Sequence, residues 1–146
     1  MASPINKIEL KHFRGATKPA FIEFDRSKKT VVIFGENGRG KSTLVDAVDM
    51  VANQSAGSLA DKSSTRLKDH LPSIGKAPKD LCVELHASPD KWRATLNGAR
   101  ISVSPSSSLP KVHILRRSQL LTLIEAIPSE RYEALRKLID VGGVEK

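Results

Sequence analysis

The 146-residue sequence contains one cysteine, few aromatic residues and no long apolar run. A single cysteine, Cys82, cannot form an internal disulfide and leaves no cysteine cluster for a zinc site, so the fold has to rest on its hydrophobic core. Aromatic residues make up 4% of the chain, too few for the stacking surface that single-strand nucleic-acid binders use.

Long apolar segments are also missing. The longest pure apolar run is Val31 to Phe34, whereas a membrane-spanning helix needs about 20 apolar residues. The first residues, Met1 to Pro4, open no signal-like apolar stretch. We therefore expect a cytoplasmic protein with no membrane partner.

Positive charge exceeds negative charge. The chain has 24 Lys and Arg residues against 16 Asp and Glu, a net charge of +8 with neutral histidines. An apolar content of 39% is enough for a core and argues against a disordered tail or a fibrous repeat. The excess of positive charge suggests a polyanionic partner, either nucleic acid or the phosphates of a nucleotide.

Apolar periodicity predicts an α/β domain that begins with strands. Residues 5–13 and 21–24 have the alternation of an antiparallel hairpin, and 30–34 have the continuous β-branched character of a central strand buried on both faces. Helical spacing then predicts a helix over 41–53, with Asp46 and Asp49 facing outward.

In the second half of the chain, composition and apolar periodicity predict a mobile surface loop, a meander and two helices. The loop covers 54–64, and the meander has strands near 81–87, 92–96 and 101–103 with Asn97-Gly98 as a turn. A short strand at 112–115 and helices at 119–127 and 129–140, separated by Pro128, complete the prediction.

One motif carries chemistry. Residues 35–43 read Gly-Glu-Asn-Gly-Arg-Gly-Lys-Ser-Thr and match the P-loop pattern G-x-x-x-x-G-K-[ST] in full, between a predicted strand and a predicted helix. Glycines let backbone N–H groups point at phosphate oxygens, and the helix N-terminus adds a favourable dipole. Lys41 is predicted to reach the β- and γ-phosphates and Ser42 to place its hydroxyl on Mg²⁺. The predicted binding residues are Gly35, Asn37, Gly38, Arg39, Gly40, Lys41, Ser42 and Thr43.

Hydrolysis needs an acidic residue at the end of another buried strand, and no apolar run in the sequence that closes on Asp or Glu is a convincing candidate. Residues 81–84 alternate like a half-exposed strand, and Asp140 follows helical residues. The chain is therefore predicted to hold half of an ATPase site, with the remainder in further sequence or in another chain.

Three blocks resemble the N-terminal lobe of the ATPase head of SMC proteins, double-strand-break repair ATPases, RecF and RecN, a branch of the ABC-type ATPases. The first, Ile5-x-x-Ile8-x-Leu10-Lys11-x-Phe13-Arg14-Gly15, is similar to that group's first strand and Asn-Phe-Arg turn, with His12 in place of Asn. The second is the P-loop, with Arg39 where Ser or Ala is commoner. The third, Leu115-Arg116-Arg117-Ser118-Gln119-Leu120 followed by Pro128-Ser129-Glu130-Arg131, is similar to the Q-loop and the helix that leads into a coiled coil.

The resemblance implies an α/β P-loop NTPase fold of the ABC head type, in which an antiparallel meander and a mixed sheet surround the P-loop helix. It implies that Gln119 coordinates Mg²⁺ or positions the attacking water. Lys41 and Gln119 are then the expected catalytic residues, and Ser42 and Gln119 the expected metal ligands. Arg14 is expected near the nucleotide phosphates and Arg66 in a further phosphate-contacting loop.

The resemblance also implies what lies outside this sequence. Residues 1–146 would form one lobe, and the Walker B and signature motifs would follow a coiled coil that begins near Lys146. The expected partners are a C-terminal lobe, a second head, DNA, and a nuclease or other accessory subunit. The implied function is ATP and Mg²⁺ binding by an SMC-type ATPase, incomplete in this chain, in DNA maintenance, repair or anti-phage defence. The implied location is the cytoplasm, at the nucleoid if the protein is bacterial.

Two other functions fit parts of the sequence. Residues 140–143 match the D-x-x-G pattern of GTPases, but no Asn-Lys-x-Asp base-reading motif follows and Asp140 lies at a predicted helix end. A binding or interaction module that uses the P-loop without turnover would fit the missing acidic residues. Sequence beyond Lys146 would distinguish these alternatives.

Overall fold

The computed structural model describes residues 4–59, 67–125 and 127, in two compact units divided after Val112. The strands are β1 (Lys7–Lys11), β2 (Ala20–Glu23), β3 (Cys82–Ala87), β4 (Asp90–Asn97) and β5 (Arg100–Ser104). The helices are α1 (Lys41–Ala52), α2 (Leu67–His70) and α3 (Arg117–Glu125), with 3-10 turns at Gly57–Leu59 and Pro78–Asp80.

The first unit is built on a five-stranded sheet in the order β2-β1-β3-β4-β5. Its strand pairs are all antiparallel, and the register aligns Leu10 with Val83 and Ile8 with Leu85 across the β1–β3 pair. Alternate residues of each strand point to one face, so these side chains share the face that α1 covers. Each fully buried aliphatic side chain contributes roughly 1.5–3 kcal/mol to the stability of this core. The core includes Ile8, Leu10, Phe13, Met50, Val51, Leu71, Leu81, Val83, Leu85 and Trp92.

The predicted hairpin and meander are confirmed, and the predicted helix at 41–53 ends one residue earlier, at Ala52. The mixed character expected of the sheet is not found among residues 4–59 and 67–125, where the strand pairing is antiparallel. A parallel neighbour would have to come from residues that the structure does not describe or from another chain.

The prediction of a buried central strand at 30–34 is wrong for the described chain. These residues form no strand, and Val32 and Phe34 are 78% and 90% exposed. Residues 30–34 have the apolar, β-branched composition of a strand that is buried on both faces. No described part of the chain packs over either face of this segment. Burial depends on a partner surface and not on the segment alone.

The predicted orientation of the α1 aspartates is also wrong. Asp46 is 0% exposed and Asp49 is buried, while the apolar Val45 of the same helix is 41% exposed. The loop predicted over 54–64 contains the buried Ala56 and the 3-10 turn Gly57–Leu59, which packs against α1. Its remaining residues from 60 onward lie outside the described chain.

In the second unit, the helix predicted at 119–127 is observed as α3, two residues earlier. The predicted strand at 112–115 is not formed. The predicted helix at 129–140 lies outside the described residues. No helix among the described residues is long and apolar enough to cross a membrane.

Candidate nucleotide-binding site

The P-loop motif forms an open turn that leads directly into α1. Gly38 and Gly40 have φ angles of 81° and 91°, in the left-handed region that a side chain rarely adopts. Gly40 precedes the first helical residue, and its carbonyl accepts the first helical hydrogen bond, from Leu44 N, at 3.2 Å. The glycines therefore let the backbone turn sharply enough to place the start of α1 at the loop.

The first turn of α1 carries the ammonium group of Lys41 and the hydroxyl groups of Ser42 and Thr43. Nζ of Lys41 donates to the carbonyl oxygens of Gly35 and Glu36, at 2.7 Å each, so the ammonium lies across the loop. This turn contains no acidic residue, and the positive end of the helix dipole is not offset there. A hollow of about 230 Å³, the P-loop hollow, is lined by Asn37, Gly38, Gly40, Lys41, Ser42 and Thr43.

A second hollow, the side hollow, adjoins the first. It has a volume of about 370 Å³ and shares Gly38, Gly40 and Thr43 with the P-loop hollow. Its other lining residues come from β1, the turn after it, β2 and α1: Leu10, Gly15, Ala16, Ala20, Phe21, Ile22 and Leu44, together with Arg39. Arg39 is the one charged residue in this lining.

Arg39 is paired with Glu36, three residues earlier in the loop. Its Nε and Nη2 atoms donate to Oε2 of Glu36 at 3.1 and 3.0 Å, and both side chains are exposed. The backbone N–H of Arg39 also points to the carbonyl of Glu36, at 3.4 Å. The ion pair thus braces the turn that contains Asn37 and Gly38.

The side chain of Arg14 contacts α1 and the 3-10 turn. Its Nη1 atom forms an ion pair with Oδ2 of Asp46 and donates to Oγ of Ser58 at 2.8 Å. Ser58 in turn donates to Asp46 through its backbone N, at 2.9 Å, and through Oγ, at 3.0 Å. The next residue, Gly15, lines the side hollow together with the P-loop glycines, so the Arg14 turn borders the site.

Sequence reasoning missed Asp46 and Ser58 as members of this network. The available signal was the pair of aspartates, Asp46 and Asp49, among the apolar residues of α1, and a periodic pattern assigns such charged residues to solvent by default. The partner that reverses this assignment, Arg14, is 32 positions earlier in the sequence. Such a distant pairing leaves no local pattern.

The described structure does not test the positions predicted for two site residues. Gln119 lies in α3 of the second unit, and its side chain is outside what the structure describes. Arg66 lies outside the described residues altogether. The roles expected for both stay predictions.

Ser42 in the first turn of α1 fits Mg²⁺. This ion keeps several waters and is usually held by one or two protein oxygens together with substrate phosphates. The single hydroxyl of Ser42, in the lining of the P-loop hollow, is therefore enough as the protein's ligand to the ion. Among the described residues, a different cluster with metal-binding geometry is Glu9, Glu84 and His86 on β1 and β3. Its carboxylates are already paired with Lys7 and Lys91, at 3.0 and 2.8 Å, which argues against a cation there.

The fold and the site define a P-loop nucleotide-binding domain. A family described as an AAA domain matches residues 7–140, nearly the whole sequence, and the chain belongs to this family. No curated protein matches the sequence.

A solved structure from work on ATP-driven dimerization and DNA-stimulated activation of SMC ATPases is similar to the chain, with a TM-score of 0.67 and 22% identity. The likeness covers 93% of this chain and 97% of that one. The predicted fold class, and the resemblance to an SMC-type head at the level of the fold, are confirmed.

Proposed function

We propose that the chain binds ATP and Mg²⁺ as the N-terminal lobe of an SMC-like ATPase head. The observation that carries this proposal is the pair of joined hollows at the start of α1. One is lined by backbone, Lys41 and hydroxyls, and the other is mostly apolar. A nucleoside triphosphate has the matching two parts, an anionic chain and an apolar ring system.

Under this proposal Lys41 exchanges partners when nucleotide binds. Its ammonium now satisfies two loop carbonyls, and the phosphate oxygens would take their place with full negative charge. The backbone N–H groups of the loop and the N-terminus of α1 would hold the phosphates. Mg²⁺ bound at Ser42 would neutralise charge on the β- and γ-phosphates.

The chain would not hydrolyse ATP by itself. Among the described residues, the buried carboxylates are Asp46 and Asp49. Asp46 is bound by Arg14 and Ser58, and Asp49 accepts a hydrogen bond from Asn53 at 2.8 Å. Each is committed to a structural contact, which supports a general base supplied from outside these residues.

The exposed apolar segment 30–34 is an argument for a partner lobe. It runs directly into Gly35 and carries the bare side chains of Val31, Val32, Ile33 and Phe34. Contiguous exposed apolar surface beside a site is typical of an interface. We assign this surface to the C-terminal lobe of the same head, with a second head then closing over the nucleotide.

DNA is proposed as the macromolecular partner because the chain has a net charge of +8. The related SMC structure comes from work on DNA-stimulated ATPases, which supports the same partner here. The biological setting would then be DNA maintenance, repair or anti-phage defence, with a nuclease or other accessory subunit as a further candidate partner.

The test is calorimetric titration of ATP and Mg²⁺ into the full chain, with a phosphate-release assay in parallel. We expect saturable binding that Lys41→Ala abolishes, and no sustained release of phosphate. Sustained release that depends on Lys41 would mean that a complete catalytic site lies in this chain. Release that stays absent after a C-terminal lobe is added would favour a binding module without turnover.

A further inference from the structure

The side hollow is placed to receive the nucleoside end of a bound nucleotide. It shares Gly38, Gly40 and Thr43 with the P-loop hollow, so a triphosphate held by the loop has this space beside it. Its volume of about 370 Å³ is within the range of small-molecule sites, roughly 300–1,000 Å³.

The lining of the side hollow favours a flat apolar ring over a charged group. Leu10, Ala20, Ile22 and Leu44 provide aliphatic surface, and Arg39 provides the one charge. A guanidinium is planar, weakly hydrated for a cation, and stacks on π-systems while its edge donates hydrogen bonds. A purine base presents a π-face and ring nitrogens that accept hydrogen bonds.

Glu36 fixes the direction of Arg39. Two of the guanidinium nitrogens donate to the same carboxylate oxygen, which restrains the plane of the group. An exposed ion pair of this kind contributes little to folding stability. Arg39 is also a lining residue of the side hollow, so the ion pair restrains a residue of that hollow.

We propose that Arg39 stacks on the base of the bound nucleotide and that Glu36 is the residue that positions it. This inference rests on the proposed function, since it concerns the same ATP site. It assigns Arg39 to the base and not to the phosphates, so the charge of Arg39 matters less than its planar shape.

The experiment compares ATP with inorganic tripolyphosphate, which has the phosphates and no base. Dissociation constants for both are measured by calorimetry on the full chain and on the Arg39→Ala, Arg39→Lys and Glu36→Gln variants. Arg100→Ala, at an exposed arginine of β5, is the matched control. Arg39 and Glu36 are exposed, so the variants should fold, and thermal melting verifies this.

Arg39→Ala should weaken ATP binding roughly five- to twentyfold, and tripolyphosphate binding less than about twofold. Arg39→Lys should recover only a small part of this loss, because an ammonium keeps the charge and loses the planar stack. Glu36→Gln should weaken ATP binding in the same direction and less, and Arg100→Ala should change neither constant.

Three outcomes would overturn the inference while leaving ATP binding intact. Equal losses for ATP and tripolyphosphate would place Arg39 on the phosphates. Full rescue by Arg39→Lys would show that charge alone matters, and unchanged ATP binding in Arg39→Ala would remove the contact. If the unmodified chain binds neither compound, the proposed function fails and the inference fails with it.

Discussion

Arg14 and Asp46 form an ion pair that joins the turn after β1 to helix α1. The carboxylate is fully buried, and Ser58 donates two hydrogen bonds to it from the 3-10 turn. Three segments that are distant in sequence therefore meet at one carboxylate, five residues after Lys41. The contact thus ties the helix that begins at the P-loop to the turn after β1 and to the 3-10 turn.

Asp46→Asn should lower the free energy of unfolding by about 3 kcal/mol, because it leaves the Arg14 guanidinium facing an amide instead of a carboxylate. Chemical denaturation measures the loss. In a cycle with Arg14→Gln, the double variant should lose at least about 1 kcal/mol less than the sum of the single losses. Glu36→Gln, which breaks an exposed pair, is the control and should change little. Strict additivity of the two substitutions would rule out a direct energetic link.

Gly57→Ala should destabilise the chain for a steric reason. Gly57 has a φ of 65°, and an added Cβ would lie 2.7 Å from Cγ of the buried Asp46. Gly98 is a matched control, since its φ of 62° carries the same backbone strain and nothing lies within 4 Å of an added Cβ. We expect losses of about 3 kcal/mol at Gly57 and about 1 kcal/mol at Gly98, measured by denaturation. Equal losses would mean that Asp46 moves aside freely.

Local patterns were enough to predict several elements. Helix α1 was predicted to within one residue because its apolar spacing and the preceding Gly40 are both local features. The β3–β4–β5 meander followed from strict alternation and the Asn97-Gly98 turn. The P-loop followed from a motif whose glycines have the backbone angles that the motif requires.

Features that depend on distant partners were not predictable in the same way. Burial of Asp46 depends on Arg14 and Ser58, which no spacing rule connects to it. Whether residues 30–34 are exposed depends on which surfaces are present to pack over them. The composition of this segment indicates only that it is compatible with a strand buried on both faces. The side hollow required β1, β2 and α1 to be placed in three dimensions.

The stability of the sheet should depend on pH through Glu9. The Lys7 ammonium, 3.0 Å away, is the main cause that holds the pKa of Glu9 below its ordinary value of 4.5. His86, Lys91 and Glu84 also face this carboxylate from β3 and β4.

A lowered folded-state pKa means that the stabilisation is present above the unfolded-state value and is lost as pH falls through the lower one. Glu9→Gln should therefore melt below the unmodified chain at neutral pH, and this difference should shrink well below pH 4.5. Asp90→Asn, at an exposed carboxylate of β4, serves as the comparison. A difference that persists undiminished in acid would show that Glu9 acts through packing and not through charge.

DNA binding, if driven by phosphate contacts, must weaken as salt rises. Lys68 and Lys76 line one shallow hollow beside the fully exposed Ile74, and we expect them to contact the duplex. Replacing both with Gln should reduce the slope of log K against log salt by about 1.8. Lys7→Gln should leave the slope unchanged, because Glu9 and Glu23 already pair with Lys7 at 3.0 and 3.4 Å. Binding that is absent at low salt, or insensitive to salt, would remove the DNA assignment.

The apolar side chains of segment 30–34, which enters the P-loop, should be dispensable for the stability of the isolated chain and necessary for docking of the C-terminal lobe. Val32→Thr and Phe34→Ser alter side chains that are 78% and 90% exposed, so each should change the free energy of unfolding by less than about 0.5 kcal/mol. Val83→Thr, at a fully buried position of β3, should cost about 1–3 kcal/mol and is the control. Both segment variants should also bind less of an apolar-surface dye.

Co-expression with a C-terminal lobe tests docking at this segment. The melting temperature of the unmodified chain should rise, because a partner that binds only the folded state stabilises it, and the melting temperatures of the Val32→Thr and Phe34→Ser variants should rise less. A gain that is equal for the variants would show that the lobe docks elsewhere, and no gain at all would show that the chain is an autonomous domain.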